Sequence, residues 1–133
     1  MVRTENYTDN TSRILEAETF LVIRAAQRAY QQVRRNFDSN AYKNALKAEF
    51  EKNHIYYQAG MPAATLPTDA RLVKKNGADF LCFQRLAVCI KTEGEASEAD
   101  FQNYRKYLRA LKLRAGLLIF FDRSGLTMKR VLV

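Results

Sequence analysis

The sequence predicts an α/β fold in which helices flank a mixed central β-sheet. Apolar residues recur at three- and four-residue steps over residues 12–35, a spacing that is typical of an amphipathic helix. Leu86 to Ile90 is instead a nearly continuous apolar run, as expected of a strand covered on both faces. Along the chain the two patterns follow the order α-α-β-β-β-α-β-β, which suits an α/β domain with a mixed sheet.

Length and composition indicate one folded domain. The chain has 133 residues, of which 47% are hydrophobic, enough to bury a sizeable core. Residues 1–10 are polar, so we expect a flexible N-terminus at 1–10 followed by a single domain over 11–133. No apolar run is long enough to span a membrane and the N-terminus lacks a signal-peptide core, so we expect a cytoplasmic protein with no membrane partner.

Two helices are predicted in the first half of the chain. Thr11 or Ser12 can cap a helix that continues to about Arg35. Its predicted buried stripe consists of apolar side chains, namely Leu15, Phe20, Ile23, Ala26, Tyr30 and Val33. Residues 38–40 can each cap a second helix that ends near Asn53. One face of that helix carries Tyr42, Ala45, Leu46, Glu49 and Phe50.

The remaining elements follow from β-rich runs and turn signals. We expect strands over 54–60, 79–83, 86–90, 115–122 and 126–133. Residues 71–75 can begin the strand that leads to Asp79, with a turn or bulge at 76–77. A third helix is predicted from about Ser97 to Leu111, with a buried face formed by Phe101, Tyr104, Leu108 and Leu111.

Both cysteines lie in predicted core strands. Cys82 and Cys89 do not form a C-x-x-C motif, so buried reduced thiols are favoured over a disulfide. Together with the single histidine, His54, they supply too few ligands at the wrong spacing for zinc.

The net charge of +8 favours anionic partners, nucleic acid first. The alternative is that Lys and Arg only solvate helix faces. No dense basic tail is present, so the charge belongs to the folded elements.

Two charged residues bound the most apolar hairpin of the chain. Asp79 is the first residue of its first strand, and Lys91 directly follows its second strand. Both side chains can simply reach water at the strand ends, or they can form a site. A connection of Phe83, Gln84 and Arg85 places Asp79 opposite Cys89, whereas a connection of Gln84 and Arg85 alone places it on the other face.

The segment Ala78-Asp-Phe-Leu-Cys-Phe-Gln-Arg-Leu-Ala-Val-Cys-Ile-Lys91 resembles the pattern A-D-L-L-V-E-G-K-V-I-V-E-L-K of the GxxExxY proteins. That family belongs to the PD-(D/E)XK nuclease-like superfamily. The run Tyr107-Leu-Arg-Ala-Leu-Lys-Leu-Arg-Ala-Gly-Leu-Leu-Ile-Phe-Phe is similar to the family's Y-L-K-A-T-G-L-K-V-G-L-L-I-N-F. The resemblance extends from about Arg13 to the C-terminus and implies a restriction-endonuclease-like core.

The residues implied by the resemblance are only partly present. Asp79 falls on the family's metal-binding Asp and Lys91 on its catalytic Lys, but Cys89 stands in place of the Glu between them. The signature G-L-L-E-S-V-Y corresponds to Asn36-Phe-Asp-Ser-Asn-Ala-Tyr42, so Ser39 replaces the second carboxylate. The following run, Tyr42-Lys-Asn-Ala-Leu-Lys-Ala-Glu-Phe50, still resembles Y-E-E-A-L-A-I-E-L.

The degenerate motif predicts a nuclease-like domain without metal-dependent catalysis. Mg²⁺ requires hard oxygen ligands, and a thiol is a soft ligand, so we expect no metal cofactor. An active Mg²⁺ enzyme remains an alternative if Glu93, Asp38 or Glu49 supplies the missing carboxylates, in which case Asp79 and Glu93 are the first candidate ligands.

Nucleic acid is the expected partner. The predicted contacts are Lys91, at the former catalytic cleft, and three basic residues of the third helix and its end, Arg105, Arg109 and Lys112. A non-catalytic subunit that binds a protein partner or forms a homodimer is the remaining alternative.

Overall fold

A computed structural model of the chain describes residues 2–6, 15–33, 38–59, 78–91, 98–122 and 125–133. Its helices are α1 (Glu16–Val33), α2 (Ser39–Lys52) and α3 (Glu98–Ala110). Its strands are β1 (Val2–Asn6), β2 (Tyr57–Ala59), β3 (Phe80–Cys82), β4 (Leu86–Lys91), β5 (Ala115–Asp122) and β6 (Gly125–Leu132).

The strands form one six-stranded sheet in the order β1-β6-β5-β4-β3-β2. Pairs β1–β6 and β4–β5 are parallel, and the other three pairs are antiparallel. The predicted α/β fold with a mixed central sheet is therefore confirmed. The strand start expected at 71–75 lies outside the described residues.

Two apolar layers cover the two faces of the sheet. One face packs against α1 and α2, through strand residues that include Phe80, Val88 and Leu117. The other packs against α3, through Ala87, Cys89 and Leu118. Strand side chains alternate between faces, so β4 is buried on both, as its apolar sequence predicts.

The buried stripe of α1 differs in part from the predicted one. Leu15, Ala26 and Tyr30 are buried as predicted, but Phe20 is 58% exposed. The face also includes Val22 and two further small residues, Ala25 and Ala29, which are buried. Small side chains allow α2 to approach closely, and the Tyr42 hydroxyl donates a hydrogen bond to the Ala26 carbonyl (3.1 Å). The stripe of α2 is as predicted at Tyr42, Leu46, Glu49 and Phe50, all of which are buried.

The expectation of a flexible segment at 1–10 requires correction over Val2–Asn6. These residues form β1, whose backbone pairs in parallel with Leu126 to Arg130 of β6. The edge of β6 supplies hydrogen-bond partners to the β1 backbone, a long-range contact that polar local composition does not encode. The proposed division at residue 10 is otherwise untested.

Candidate functional site

The β3–β4 hairpin determines where Asp79 lies. Cys82 pairs with Leu86, so the connection consists of Phe83, Gln84 and Arg85. This three-residue connection places Asp79 opposite Cys89. Of the two connections considered from the sequence, it is the one that allows Asp79, Cys89 and Lys91 to share a face of the sheet. The Asp79 N–H donates to the Val88 carbonyl (2.8 Å), which fixes the entry to the hairpin.

Both carboxylate oxygens of Asp79 have partners. Oδ2 accepts a hydrogen bond from the Ile90 N–H (2.7 Å), which ties the side chain to the end of β4. Oδ1 lies 2.8 Å from the Lys43 ammonium of α2. The carboxylate is therefore held by one backbone donor and one cation, and it does not simply reach water at a strand end.

Lys43 of α2 reaches Asp79 because the start of α2 lies at the end of the sheet where β4 ends. Tyr42, the preceding residue, packs on Phe121 with ring centroids 4.4 Å apart. Phe121 follows Phe120, the β5 partner of Lys91. The start of α2 thus lies beside the end of β4, close to where Lys91 leaves the sheet.

Cys89 lies between these charges as a buried thiol. It is 2% exposed, and burial raises its pKa to about 11, with a smaller contribution from Asp79. Lys91 and Lys43 act in the opposite direction, since nearby cations favour a thiolate. All three charged residues are therefore close to Cys89, and the thiol stays protonated at neutral pH.

Two tyrosines of α3 support the strands beneath the site. The Tyr104 hydroxyl donates to the Ala87 carbonyl (2.9 Å), and the Tyr107 hydroxyl accepts from the Ala78 N–H (3.0 Å). Their rings stack with centroids 6.1 Å apart, so α3 holds both strands of the hairpin through one aromatic pair.

The carboxylates proposed as substitutes have other contacts. Asp38 is the N-cap of α2, where its side chain accepts from the Asn40 N–H (3.1 Å). Glu49 is buried between the first two helices and accepts from the Gln32 amide (3.0 Å). Ser39 begins α2, and Glu93 lies outside the described residues.

The four basic residues predicted to contact nucleic acid do not all lie at the end of β4 where Lys91 is found. Lys112 follows α3 and is only three residues before Ala115, which pairs with Leu86 at the far end of β4 from Lys91. Arg109 and Lys112 are exposed, whereas Arg105 is half-buried. Its Nε is enclosed without a hydrogen-bond partner among the described residues, so Arg105 is partly a packing residue.

Sequence reasoning missed Lys43. The signal was present, because Lys43 follows the matched Tyr42 directly, where the quoted family run carries Glu. Tyr104 and Tyr107 were missed as supports, since Tyr104 was assigned only to the apolar face and Tyr107 only to the motif. Their hydroxyl partners, at 78 and 87, are distant in sequence.

The sheet is mixed and has helices on both faces, and Asp79 lies beside Lys43 at the start of the β3–β4 hairpin. A family model of the PD-(D/E)XK nuclease superfamily matches residues 16–131, and the chain belongs to that superfamily. No curated protein and no solved structure matches the chain significantly. The predicted superfamily and the restriction-endonuclease-like fold class are confirmed by this match.

None of the three helices described is long and apolar enough to cross a membrane. Within the same described residues, no group of three His, Cys, Asp or Glu side chains is placed to hold a metal ion.

Proposed function

We propose that this chain is a diverged GxxExxY-type protein that binds nucleic acid without metal-dependent cleavage. The observation that carries the loss of catalysis is the Lys43–Asp79 ion pair at 2.8 Å. In the superfamily, acidic residues hold Mg²⁺ beside the scissile phosphate. In this chain a lysine ammonium already occupies one oxygen of the remaining acidic residue.

The donor set does not fit Mg²⁺. This ion requires several oxygen ligands in near-octahedral geometry. Asp79 uses Oδ2 for the Ile90 N–H and Oδ1 for Lys43, and Cys89 offers only a buried, protonated sulfur. A divalent cation beside Asp79 would also be repelled by the Lys43 ammonium. We therefore propose no metal cofactor and route no chemistry through one.

Nucleic acid as the partner is supported by the charge and the exposed basic side chains. The net charge is +8, and Arg109 and Lys112 point cationic groups to solvent at the end of α3. Contacts of this type bind phosphates and give affinity without sequence specificity. Both cysteines are free and buried, which supports a reducing compartment such as the cytoplasm.

The test combines binding and cleavage. Fluorescence anisotropy with labelled duplex DNA, duplex RNA and single strands, at low and high salt, measures affinity. Incubation of the same substrates with Mg²⁺ or Mn²⁺ measures hydrolysis. We expect salt-sensitive binding and no cleavage by the wild type.

Two results would contradict the proposal in different ways. Mg²⁺-dependent hydrolysis that disappears in Asp79→Ala would establish an active enzyme with displaced ligands, Glu93 being the first to examine. Absence of binding to every nucleic acid at low salt would favour the subunit that binds a protein partner or a second copy of itself.

A further inference from the structure

The contacts that make Asp79 unsuitable as a metal ligand also place a partly exposed cationic side chain beside it. The Lys43 ammonium lies 2.8 Å from Oδ1 of Asp79 while its side chain remains 32% exposed, so a ligand can reach it without breaking the fold. The Asp79 side chain is 21% exposed and is fixed from the opposite side by the Ile90 N–H. The ion pair is therefore partly accessible to solvent, with its carboxylate tied to the backbone of β4.

Lys91 brings a second cation to the same place. It directly follows Ile90, whose N–H binds Asp79, and its side chain is half-buried at the end of β4. Among the described residues, no carboxylate pairs with the Lys91 ammonium. Within the part of the chain that the structure describes, one carboxylate and two ammonium groups give this cluster a net positive charge, which attracts anions and repels metal cations.

The geometry points to a metal-independent phosphate-binding site formed by Lys43 and Lys91 around Asp79, which takes backbone phosphates of nucleic acid. Asp79 lies at this site and offsets part of its positive charge. The site rests on the proposed nucleic-acid binding, and it specifies which residues contact phosphate and that no metal ion takes part.

This site predicts an unusual sign for one substitution. If Asp79 were a metal ligand, its loss would weaken nucleic-acid binding in the presence of Mg²⁺. Here Asp79→Asn removes the one negative charge of the cluster, while the amide oxygen can still accept the Ile90 N–H. We expect Asp79→Asn to bind duplex DNA about five-fold more tightly in EDTA, because one unit charge a few ångströms from a phosphate contributes roughly 1 kcal/mol in water.

Variants that remove the positive charges of the site should have the opposite effect on affinity. Lys91→Gln and Lys43→Gln should each weaken binding about five- to ten-fold in EDTA by the same charge argument. Lys52→Gln is the matched control, because it removes one charge from the exposed, opposite end of α2 and should change affinity little. Thermal unfolding by circular dichroism verifies the fold, and if Lys43→Gln is unfolded, Lys91→Gln and Asp79→Asn decide.

Titration with inorganic phosphate separates this inference from the proposed function. Shifts of the Ile90 and Lys91 amide NMR signals that are absent in Lys91→Gln, without any nucleic-acid binding, would support the site and overturn its assignment to nucleic acid. Nucleic-acid binding that Lys91→Gln affects no more than Lys52→Gln would keep the proposed function and overturn the site. Weaker binding by Asp79→Asn, or binding that requires Mg²⁺, would overturn it as well.

Discussion

The role of Asp79 is set by its partners and not by its residue type. A carboxylate at this hairpin can serve as a metal ligand, yet here the Ile90 N–H and Lys43 use its two oxygens. The partly exposed ion pair itself contributes only about 1 kcal/mol to stability, near the upper end for surface pairs. Its consequence is electrostatic, because the Lys43 ammonium offsets the negative charge that Asp79 would otherwise present to a cation.

The burial of Cys89 can be tested through the pH dependence of stability. Burial raises the pKa of this thiol from its usual 9.0 to about 11. Between these values the unfolded chain loses the proton and the folded chain keeps it, so unfolding becomes more favourable as pH rises. Two pKa units correspond to at most about 3 kcal/mol. Urea unfolding at pH 8 and pH 10.5 measures the loss.

The control for that test is Cys89→Ala. Its stability at pH 8 should be lower than that of the wild type, because the smaller side chain leaves space in the core. Its further loss between pH 8 and pH 10.5 should be smaller than the wild-type loss, since the titrating thiol is gone. Equal losses in the two proteins would show that Cys89 is not a buried thiol in solution.

At the scale of elements, the ends of α2 and α3 share one unexpected feature. His54 and Lys112 both have positive φ, 58° in each case. At α2 the N–H of Ile55 bonds to the Phe50 carbonyl, and at α3 the N–H of Leu113 bonds to the Leu108 carbonyl. This is the Schellman pattern, in which the left-handed position normally holds glycine.

His54→Gly should therefore stabilise the protein. A residue with a Cβ in the left-handed region costs about 1 kcal/mol relative to glycine. We expect the free energy of unfolding to rise by roughly this amount, measured by urea denaturation. His54→Ala is the matched control, because it removes the imidazole and keeps the Cβ, so it should give no such gain. Equal stability of the two variants would exclude left-handed strain at this end.

Gly116 is required by the packing of α3 on the sheet. A Cβ at this position would lie 2.6 Å from the Tyr104 hydroxyl and 2.8 Å from its ring. The ring cannot move away without losing the hydrogen bond to the Ala87 carbonyl. Gly116→Ala should destabilise the protein by about 2 kcal/mol, within the range found for overpacked cores, as measured by urea unfolding.

The partner variant Tyr104→Ala isolates that contact. If the clash causes the loss, Gly116→Ala should cost much less in the Tyr104→Ala background than alone, which is the signature of directly coupled residues. Additive losses would place the effect of Gly116 elsewhere in β5.

Most elements could be predicted from the sequence because their patterns are local. The periodicity of α2 and α3 and the apolar run of β4 fixed both their type and their burial. The strand β1 could not be predicted, because its only described partner is β6, more than a hundred residues away. The hairpin offered two connections, and only tertiary structure decides between them, since Phe83 and Gln84 adopt left-handed backbone that neither residue type favours.

Only part of the candidate site could be predicted from the sequence, because one of its residues is distant along the chain. Asp79, Cys89 and Lys91 lie in one contiguous hairpin, so the motif and its missing carboxylate could be identified. Lys43 belongs to α2, thirty-six positions before Asp79, and its contact depends on how α2 crosses the end of the sheet. Pairing between distant elements is not encoded by spacing.

At the scale of the molecule, the basic residues fall into two groups. Lys43 and Lys91 lie at one end of β4, while Lys112 lies near Ala115 at the other end. Five strand steps separate Leu86 from Lys91, about 16 Å at the usual rise per residue. A nucleic acid that contacts both groups must therefore span several phosphates, and its affinity should be strongly salt-dependent.

Reversing the charges at the end of α3 measures how much of the salt dependence of binding comes from that region. Each phosphate contact contributes about 0.9 to the slope of log affinity against log salt for duplex DNA. The double variant Arg109→Glu, Lys112→Glu should lower that slope by about two, with the fold intact because both side chains are exposed. Anisotropy titrations of duplex DNA between about 50 and 200 mM salt measure it.

The matched control reverses Arg28 and Lys52, two exposed residues at the end of α2 away from the candidate site, which changes the net charge equally. If the end of α3 contacts phosphates, this control should keep most of the wild-type slope, because long-range charge effects are screened beyond about 10 Å at 0.1 M salt. Arg105 is left unchanged in both proteins, since its enclosed Nε makes any substitution there a test of packing as well. Equal slopes in the two double variants would mean that only net charge matters, and would remove Arg109 and Lys112 from the binding surface.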